Sequence, residues 1–447
     1  MTIWSLLFFV FIFSTGLGQA IEISNVEEQD YLIILKPNRI GTGALQEILE
    51  ATNAELLIEA AQVGVASIRS ADPDALLKLQ SFSSVELATR DIEIRSPEIE
   101  VHVDRSIEAA DAAHDLYDQY QWDIKRVTAN GDAWSINRGN HQVVVAVIDT
   151  GVDFSHPDLQ ANLLYGKAFF PGATEADALR DAGTHGTHVA GSIAGNGRIL
   201  GVGPDLGIAS YRVSNNRGGM SWAGILSAIT TAADDGVDVA NLSLGTYSIM
   251  NDEQDRALHL AAMRAVKYAN NKGMIIVGAN GNDGIDLGKR THTVPGEGKV
   301  YGPLFDTFTS IPGVVSVSSS TNRDTLAYYS NYGSSNVTLA APGGDAGPNW
   351  PNPDGDRSLI EIETRCYSTI PVNRGSYGWA MGTSMAAPKV AAVAALVKAE
   401  NPKLSNARIV TLLQQTADDL GKKGHDAQFG HGLVNANEAL KRAAGNK

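Results

Sequence analysis

The sequence predicts an α/β protein with a doubly wound, mostly parallel sheet, preceded by a small α+β domain of the ferredoxin-like type. Two observations predict this fold class. Beyond Tyr120, short apolar runs alternate with helical patterns, and such runs are typical of parallel strands that helices cover on both faces. Before Ser96, strand-like and helical segments follow one another in the order β-α-β-β-α-β.

The small domain extends from about residue 29 to residue 94. "YLIILK" predicts its first strand, and "ALQEILEAT" has its apolar residues at helical spacing. "AELLIEA" and "VGVASIR" predict two strands, "DPDALLKLQSF" a helix that begins near Asp72, and "SVELATRDIEI" the last strand. Residues 96–119 are polar and acidic and contain Pro97, which is typical of a linker.

Five apolar runs predict the strands of the larger sheet, and they cover residues 143–149, 208–213, 237–245, 274–280 and 314–320. The helices between them are carried by "HVAGSIAG", "WAGILSAITTAADDG", "RALHLAAMRAVKYANNKG" and "SMAAPKVAAVAALVKAEN". Sheets of this kind bind and react at the carboxyl ends of their strands. We therefore look for functional side chains where these strands end.

Composition narrows the function classes. The 447 residues carry a net charge of −15, which argues against a nucleic-acid partner because phosphate binding needs a basic surface. Cys366 is the single cysteine, so no internal disulfide can form. Residues 1–20 contain a short apolar stretch followed by small residues, which predicts a signal peptide and a secreted bacterial protein. An uncleaved membrane anchor is the alternative.

Three side chains capable of nucleophilic catalysis lie where the predicted geometry can bring them together. Asp149 ends a strand, His185 begins a helix after "AGTHG", and Ser384 opens another helix after Gly382. A serine hydroxyl needs an adjacent base, an imidazole can take its proton, and a buried carboxylate can fix the imidazole tautomer. The same imidazole, paired with His188 three residues later, is also compatible with a shared metal ion.

"VIDTGVDFSHPDL", "GTHGTHVAGSIAG" and "GTSMAAP", in this order, resemble the motifs of the subtilisin-like serine peptidases, the subtilases. The resemblance extends from Gln119 to the C-terminus. It implies that Asp149 orients His185, that His185 is the general base and acid, and that Ser384 is the nucleophile. Asn282 in "GANGNDG" matches the family's oxyanion asparagine, with Asn280 as the competing candidate, and His188 matches a structural histidine.

The resemblance also implies substrate contacts and a cofactor prediction. Main-chain pairing with an extended peptide and the wall of the first specificity pocket are expected at Ser243, Leu244, Gly245, Gly278, Ala279 and Asn280. No cofactor is expected for catalysis. A structural calcium ion is left open, because Asp158 matches a family ligand whereas the loop "AGNGRILGVGP" is short where many subtilases bind calcium.

The N-terminal domain resembles the family's inhibitor-type propeptide. The expected organisation is a signal peptide over residues 1–20, a propeptide and linker over 21–105, and a catalytic domain over 106–447. The expected protein is a monomeric, secreted serine endopeptidase that cleaves peptides or proteins through an acyl-enzyme. It is made as a zymogen that its own propeptide inhibits and that processes itself. A weaker similarity points to peptidases that remove leader peptides from lantibiotic precursors.

Three other functions fit the sequence less well. A metal-dependent hydrolase would use His185 and His188, but "HGTH" lacks the glutamate of a zinc-hydrolase helix. A peptide-binding protein would keep the cleft without needing the triad and Asn282. An α/β-hydrolase esterase is disfavoured because no G-x-S-x-G motif surrounds Ser384.

Overall fold

The computed structural model describes residues 28–91, 93–95, 100–105, 114–294 and 298–445, so the predicted signal peptide over residues 1–20 lies outside them. The small domain comprises β1 (Gln29–Leu35), α1 (Ala44–Thr52), β2 (Glu55–Ala60), β3 (Val65–Ser70), α2 (Ala75–Ser81) and β4 (Val85–Arg90). Its antiparallel sheet has the strand order β2-β3-β1-β4. The predicted ferredoxin-like order of elements is therefore confirmed.

The alternation of side chains along β1 explains how this sheet packs. Tyr31 and Ile33 belong to a core cluster with Ile48 of α1, whereas Leu32 and Ile34 belong to a cluster with residues of the larger domain. Successive side chains of a strand point to opposite faces, so each face of the sheet buries its own apolar set. The small domain is thus packed on the larger one.

The described residues between the two domains include short regular elements. They contain β5 (Ile94–Arg95), β6 (His102–Val103) and α3 (Asp115–Tyr120), and α4 (Trp122–Thr128) follows. Leu116 and Tyr117 of α3 are buried. These two apolar side chains give the helix a face to bury, so the end of the predicted linker belongs to the packed domain.

The larger domain contains the remaining elements, which are β7 (Val144–Asp149), α5 (Pro157–Gln160), β8 (Leu163–Ala168), α6 (His185–Ala194), β9 (Gly207–Arg212), β10 (Gly219–Met220), α7 (Trp222–Asp234), β11 (Val239–Leu242), β12 (Tyr247–Ile249), α8 (Glu253–Lys272), β13 (Ile275–Ala279), β14 (Thr291–Val294), β15 (Gly298–Tyr301), β16 (Leu304–Asp306), β17 (Val314–Ser320), β18 (Leu339–Pro342), β19 (Cys366–Thr369), β20 (Tyr377–Ala380), α9 (Thr383–Glu400), α10 (Asn406–Thr416) and α11 (Ala436–Ala444).

Seven parallel strands form the central sheet of this domain, in the order β18-β17-β13-β11-β7-β9-β8. The five predicted strands are its central members, and the predicted doubly wound fold is confirmed. The sequence did not indicate the two edge strands. β8 contains Gly166 and is only partly buried, and β18 is a four-residue strand that ends at Pro342.

Helices cover both faces of the sheet and so create two apolar layers. α6, α9 and α11 contribute to one buried cluster, and α7 and α8 contribute to the other. α9 is apolar on nearly all sides and is buried from Thr383 to Val397, as expected for a helix at the centre of a large domain. Within the described residues, no helix combines the length and the apolarity that a membrane span needs.

Candidate active site

Asp149 is the last residue of β7 and lies at the carboxyl edge of the sheet, where its side chain is buried. Its Oδ1 accepts a hydrogen bond from the Thr150 backbone N–H at 2.7 Å. The chain then turns at Gly151, which has a φ of +108°, and a Cβ at this position would lie 2.2 Å from the Arg180 carbonyl oxygen. Both constraints favour glycine two residues after the carboxylate.

His185 opens α6 and faces the Asp149 carboxylate. Its Nδ1 lies 2.7 Å from Oδ1 and 2.9 Å from Oδ2 of Asp149, while its Nε2 has no hydrogen-bond partner among the described residues. Burial alone would lower the pKa of His185, but the charge and hydrogen bond of Asp149 outweigh it, so the net shift is upward. The ring is therefore held at Nδ1, whereas Nε2 is buried without a partner among the described residues.

A second carboxylate, Asp181, holds the loop that leads into α6. It accepts the Thr150 hydroxyl at 2.6 Å and the Thr187 hydroxyl at 2.7 Å, and it also accepts the Gly183 N–H at 2.8 Å. Its charge adds to the upward shift in the pKa of His185. Sequence reasoning missed this residue, although its place four residues before His185 was visible.

The two histidines of "HGTH" have different surroundings. His188 is fully buried, and burial, with the nearby charge of Lys389, lowers its pKa to about 3. It is therefore neutral at physiological pH and far from solvent. Across the described ranges, no group of three or more His, Cys, Asp or Glu side chains is placed to hold a metal ion. The geometry supports a structural His188 beside a reactive His185.

Ser384 is the second residue of α9, after Gly382, and its side chain is 3% exposed. Its hydroxyl donates to the Ser243 carbonyl oxygen at 3.3 Å. Pro388 lacks the N–H that would otherwise bond the Ser384 carbonyl inside the helix. The Ser243 hydroxyl supplies that hydrogen bond instead, at 2.9 Å, and it is itself held by the Asn241 amide.

The two candidate oxyanion asparagines are engaged differently. Asn282 accepts the Thr383 N–H at 2.8 Å and the Thr383 hydroxyl at 2.9 Å through its Oδ1, and it lines the same pocket as Ser384. Asn280 is fully buried, and its Nδ2 donates to the Asn331 carbonyl oxygen. Asn282, unlike Asn280, therefore lines the pocket that contains Ser384.

A pocket opens beside Ser384. Its lining consists of Ser243, Leu244, Gly245, Thr246, Tyr247, Ala279, Gly281, Asn282, Asp283, Asp306, Thr383 and Ser384. Four of the six predicted substrate residues, those at 243–245 and 279, are among them. Gly278 and Asn280 are not among the lining residues, because they lie within β13 and directly behind its end. The polar members Tyr247, Asp283 and Asp306 were not predicted.

A short strand of the larger domain pairs with the end of the small domain. β5, from the end of the small domain, pairs antiparallel with β10, so that Ile94 lies opposite Met220 and Arg95 opposite Gly219. The Asn215 amide also donates to the Glu93 carboxylate at 2.6 Å. An extended segment added to an exposed strand edge is a common mode of peptide binding.

Two further charged residues, Lys389 and Asp158, bind other groups inside the protein. Lys389 on α9 lies 2.8 Å from the Asp123 carboxylate, and both side chains are fully buried. Asp158, the calcium-ligand match, accepts the Ile199 N–H at 3.0 Å and the Tyr377 hydroxyl at 3.1 Å. Calcium binding stays a prediction without an assigned site. Cys366 is a free, buried thiol.

Comparison with known proteins places the chain in a family. A family model described as the subtilase family matches residues 140–432. The chain is 28% identical over 376 residues to the epidermin leader peptide-processing serine protease EpiP of Staphylococcus epidermidis. This alignment covers 78% of this chain and 80% of that protein. It is 32% identical over 314 residues to the nisin leader peptide-processing serine protease NisP of Lactococcus lactis, which covers 64% of this chain and 44% of NisP.

A solved structure agrees with these matches along almost the whole chain. The crystal structure of EpiP from Staphylococcus aureus is similar with a TM-score of 0.76 at 27% identity, over 93% of this chain and 99% of that chain. The family model alone spans more than half of the 447 residues. This chain therefore belongs to the subtilase family of serine-type endopeptidases.

Proposed function

We propose that the protein hydrolyses peptide bonds through Asp149, His185 and Ser384. The observation that carries this proposal is the His185 ring, which is bonded through Nδ1 to Asp149 while its Nε2 has no hydrogen-bond partner among the described residues. That tautomer leaves a lone pair on Nε2 to take a proton. The Ser384 hydroxyl must first leave the Ser243 carbonyl oxygen, to which it donates in the free site, and turn to His185.

Ser384 Oγ then attacks the carbonyl carbon of the scissile bond as its proton passes to His185 Nε2. Asn282 Nδ2 and the Ser384 backbone N–H donate to the oxyanion, and Asp149 stabilises the imidazolium. Collapse breaks the C–N bond, and His185 gives its proton to the leaving amine. Water, activated by the same imidazole, hydrolyses the acyl-enzyme. As in subtilases generally, catalysis needs no cofactor.

The small domain fits the role of an inhibitory propeptide that the catalytic domain removes from its own precursor. Contacts between the two units support this role. They include the pairing of β5 with β10, the Arg264–Glu86 ion pair, and the Gln62 side chain bonded to Asp234 at 2.8 Å. A segment on β10 blocks the edge where an extended substrate would pair. The proposed mature enzyme is a secreted bacterial monomer that begins after the 21–105 region.

Removal of a leader peptide from another precursor is the second candidate function. It is favoured by one observation, the similarity to EpiP over both domains at a TM-score of 0.76. A processing peptidase needs a cleft that selects a particular sequence before the cut. The acidic pocket beside Ser384 is a feature of that kind.

The proposed function is tested by following the intact mass of the purified full chain over time, with the Ser384→Ala variant alongside. The wild type should lose about the first hundred residues, whereas the variant should stay intact and folded. If the variant matured normally, the nucleophile assignment would be wrong. If neither form was cut and a serine-directed phosphonate did not react with the wild type, the peptidase proposal would fail.

A further inference from the structure

The pocket beside Ser384 ends at a carboxylate that the catalytic steps do not use. Asp306 is the last residue of β16 and lines the pocket, although its side chain is only 3% exposed. β16 reaches this place by pairing with β12, in which Asp306 lies opposite Tyr247. Of the described residues that line the pocket, none is basic, and Asp283 near its mouth is acidic as well.

The two oxygens of Asp306 have different surroundings. Oδ1 accepts the Phe308 N–H at 3.2 Å and the Thr309 N–H at 2.9 Å, so it caps the turn that follows β16. Oδ2 faces Gly245 across the pocket, and a Cβ at Gly245 would lie 3.0 Å from it. Gly245 therefore keeps the space in front of this oxygen open.

A capping role alone does not account for a carboxylate here. An asparagine would accept the same two N–H groups through one oxygen, without bringing a charge into a buried site. Burial raises the pKa of Asp306 to about 6, despite the hydrogen bonds from Thr309 and Phe308. A buried carboxylate without a cation is unfavourable, and a positively charged ligand group would relieve that cost.

The position of the pocket determines which substrate residue it receives. The attacked carbonyl must lie between Ser384 Oγ and the Asn282 amide, and both residues line the pocket mouth. The side chain nearest that carbonyl belongs to the residue on the acyl side of the scissile bond. It passes between the 243–245 segment and Ala279 towards Asp306.

We propose that Asp306 is a specificity-determining residue that pairs with the cationic side chain of an arginine or lysine immediately before the scissile bond. This inference rests on the proposed peptidase function and names its substrate class. The neutral walls around Gly245 and Ala279 suit the aliphatic stem of such a side chain, and the carboxylate suits its charged end. An arginine can form two hydrogen bonds with one carboxylate, whereas lysine acts as a point charge.

The test uses processed enzyme and peptides that are identical except for Arg, Lys or Leu before the bond. Removing one partner of a buried charge pair costs about 2 kcal/mol or more, which corresponds to about thirtyfold in rate. The wild type should therefore cleave the Arg or Lys peptide at least about thirtyfold faster, by kcat/KM, than the Leu peptide. Asp306→Asn keeps the turn cap and should remove most of this ratio, mainly by slowing cleavage of the Arg and Lys peptides.

Asp356→Asn is the matched control, since Asp356 also caps a turn but is exposed and outside the pocket. Its Arg-to-Leu ratio should equal that of the wild type. A ratio that Asp306→Asn leaves unchanged would overturn the proposal. Should that variant fail to fold, inhibition of the wild type provides the test. The cationic compound benzamidine should compete with substrate, whereas neutral benzamide should not. Equal inhibition by the two, or a preference for Leu, would contradict the proposal.

Active-site titration with a serine-directed phosphonate separates this proposal from the function on which it rests. Enzyme that titrates fully but prefers the Leu peptide would refute the role of Asp306 and leave the serine peptidase intact. Enzyme that neither titrates nor cleaves any of the three peptides would refute both.

Discussion

Replacing Lys389 by methionine should destabilise the catalytic domain strongly, although Lys389 takes part in none of the proposed catalytic steps. Lys389 lies on the helix that carries Ser384, and its ammonium is 2.8 Å from the Asp123 carboxylate of α4. It also donates to the Met385 carbonyl oxygen at 2.9 Å. Both members of the pair are fully buried. The substitution keeps most of the side-chain volume but leaves the carboxylate without its cation.

The expected cost follows from this burial. Breaking a buried pair by removing one partner costs about 3–5 kcal/mol, because the remaining charge is left in a poorly solvated place. Replacing both partners by apolar side chains of similar volume is often neutral or stabilising. Lys389→Met should therefore lose about 3–5 kcal/mol, and Lys389→Met with Asp123→Leu should recover most of that loss.

The assay is urea unfolding of the full chain in a Ser384→Ala background, which prevents self-digestion. Five of the six tryptophans lie beyond Tyr120, and the sixth lies within residues 1–20, so fluorescence reports mainly on the catalytic domain. The free energies of the two single variants and the double variant form a double-mutant cycle. A double variant as unstable as the sum of its two single variants would refute the reasoning, because the charges would then act independently.

Three further predictions concern the site. Asn282→Ala should lower kcat roughly a hundred- to a thousandfold with little change in KM, which is the loss measured in subtilisin when one oxyanion donor is removed; an unchanged kcat would assign the oxyanion contact elsewhere. The neutral His185 is the base and its pKa is raised, so activity should fall as the pH is lowered through a midpoint above the usual imidazole pKa. Asp181→Asn removes one of the charges that raise this pKa and should move the midpoint to lower pH. An unchanged pH profile of the variant would exclude Asp181 from this role. Ser243→Ala should leave the Ser384 carbonyl unpaired and cost about 1–3 kcal/mol of unfolding free energy; urea unfolding in the Ser384→Ala background measures it, and a cost near zero would mean that another donor replaces the hydroxyl.

The parts of the molecule that the sequence predicted are those specified by local patterns. The central strands are short apolar runs, and Asp149 and His185 lie at the ends of such elements, where the sheet topology brings them together. The order of the small domain follows from its alternating strand and helix periods. Edge strands β8 and β18 were missed because partial exposure, a glycine and a terminal proline weaken the same signals.

The parts that could not be predicted depend on contacts between distant segments. Asp306 reaches the pocket only because β16 pairs with β12, and nothing in "PLFDTFTS" indicates that partner. The cation that faces Asp123 lies more than 260 residues away on α9. A carboxylate among apolar residues was a visible signal at Asp306, but its meaning required the position of Ser384 and Gly245.

The nucleophile assignment is tested most directly by mapping the site of a serine-directed phosphonate on the processed enzyme. One adduct per molecule should form on the peptide that contains Ser384, with loss of hydrolytic activity in proportion to labelling. An adduct on another residue, or continued hydrolysis by fully labelled enzyme, would contradict Ser384 as the nucleophile.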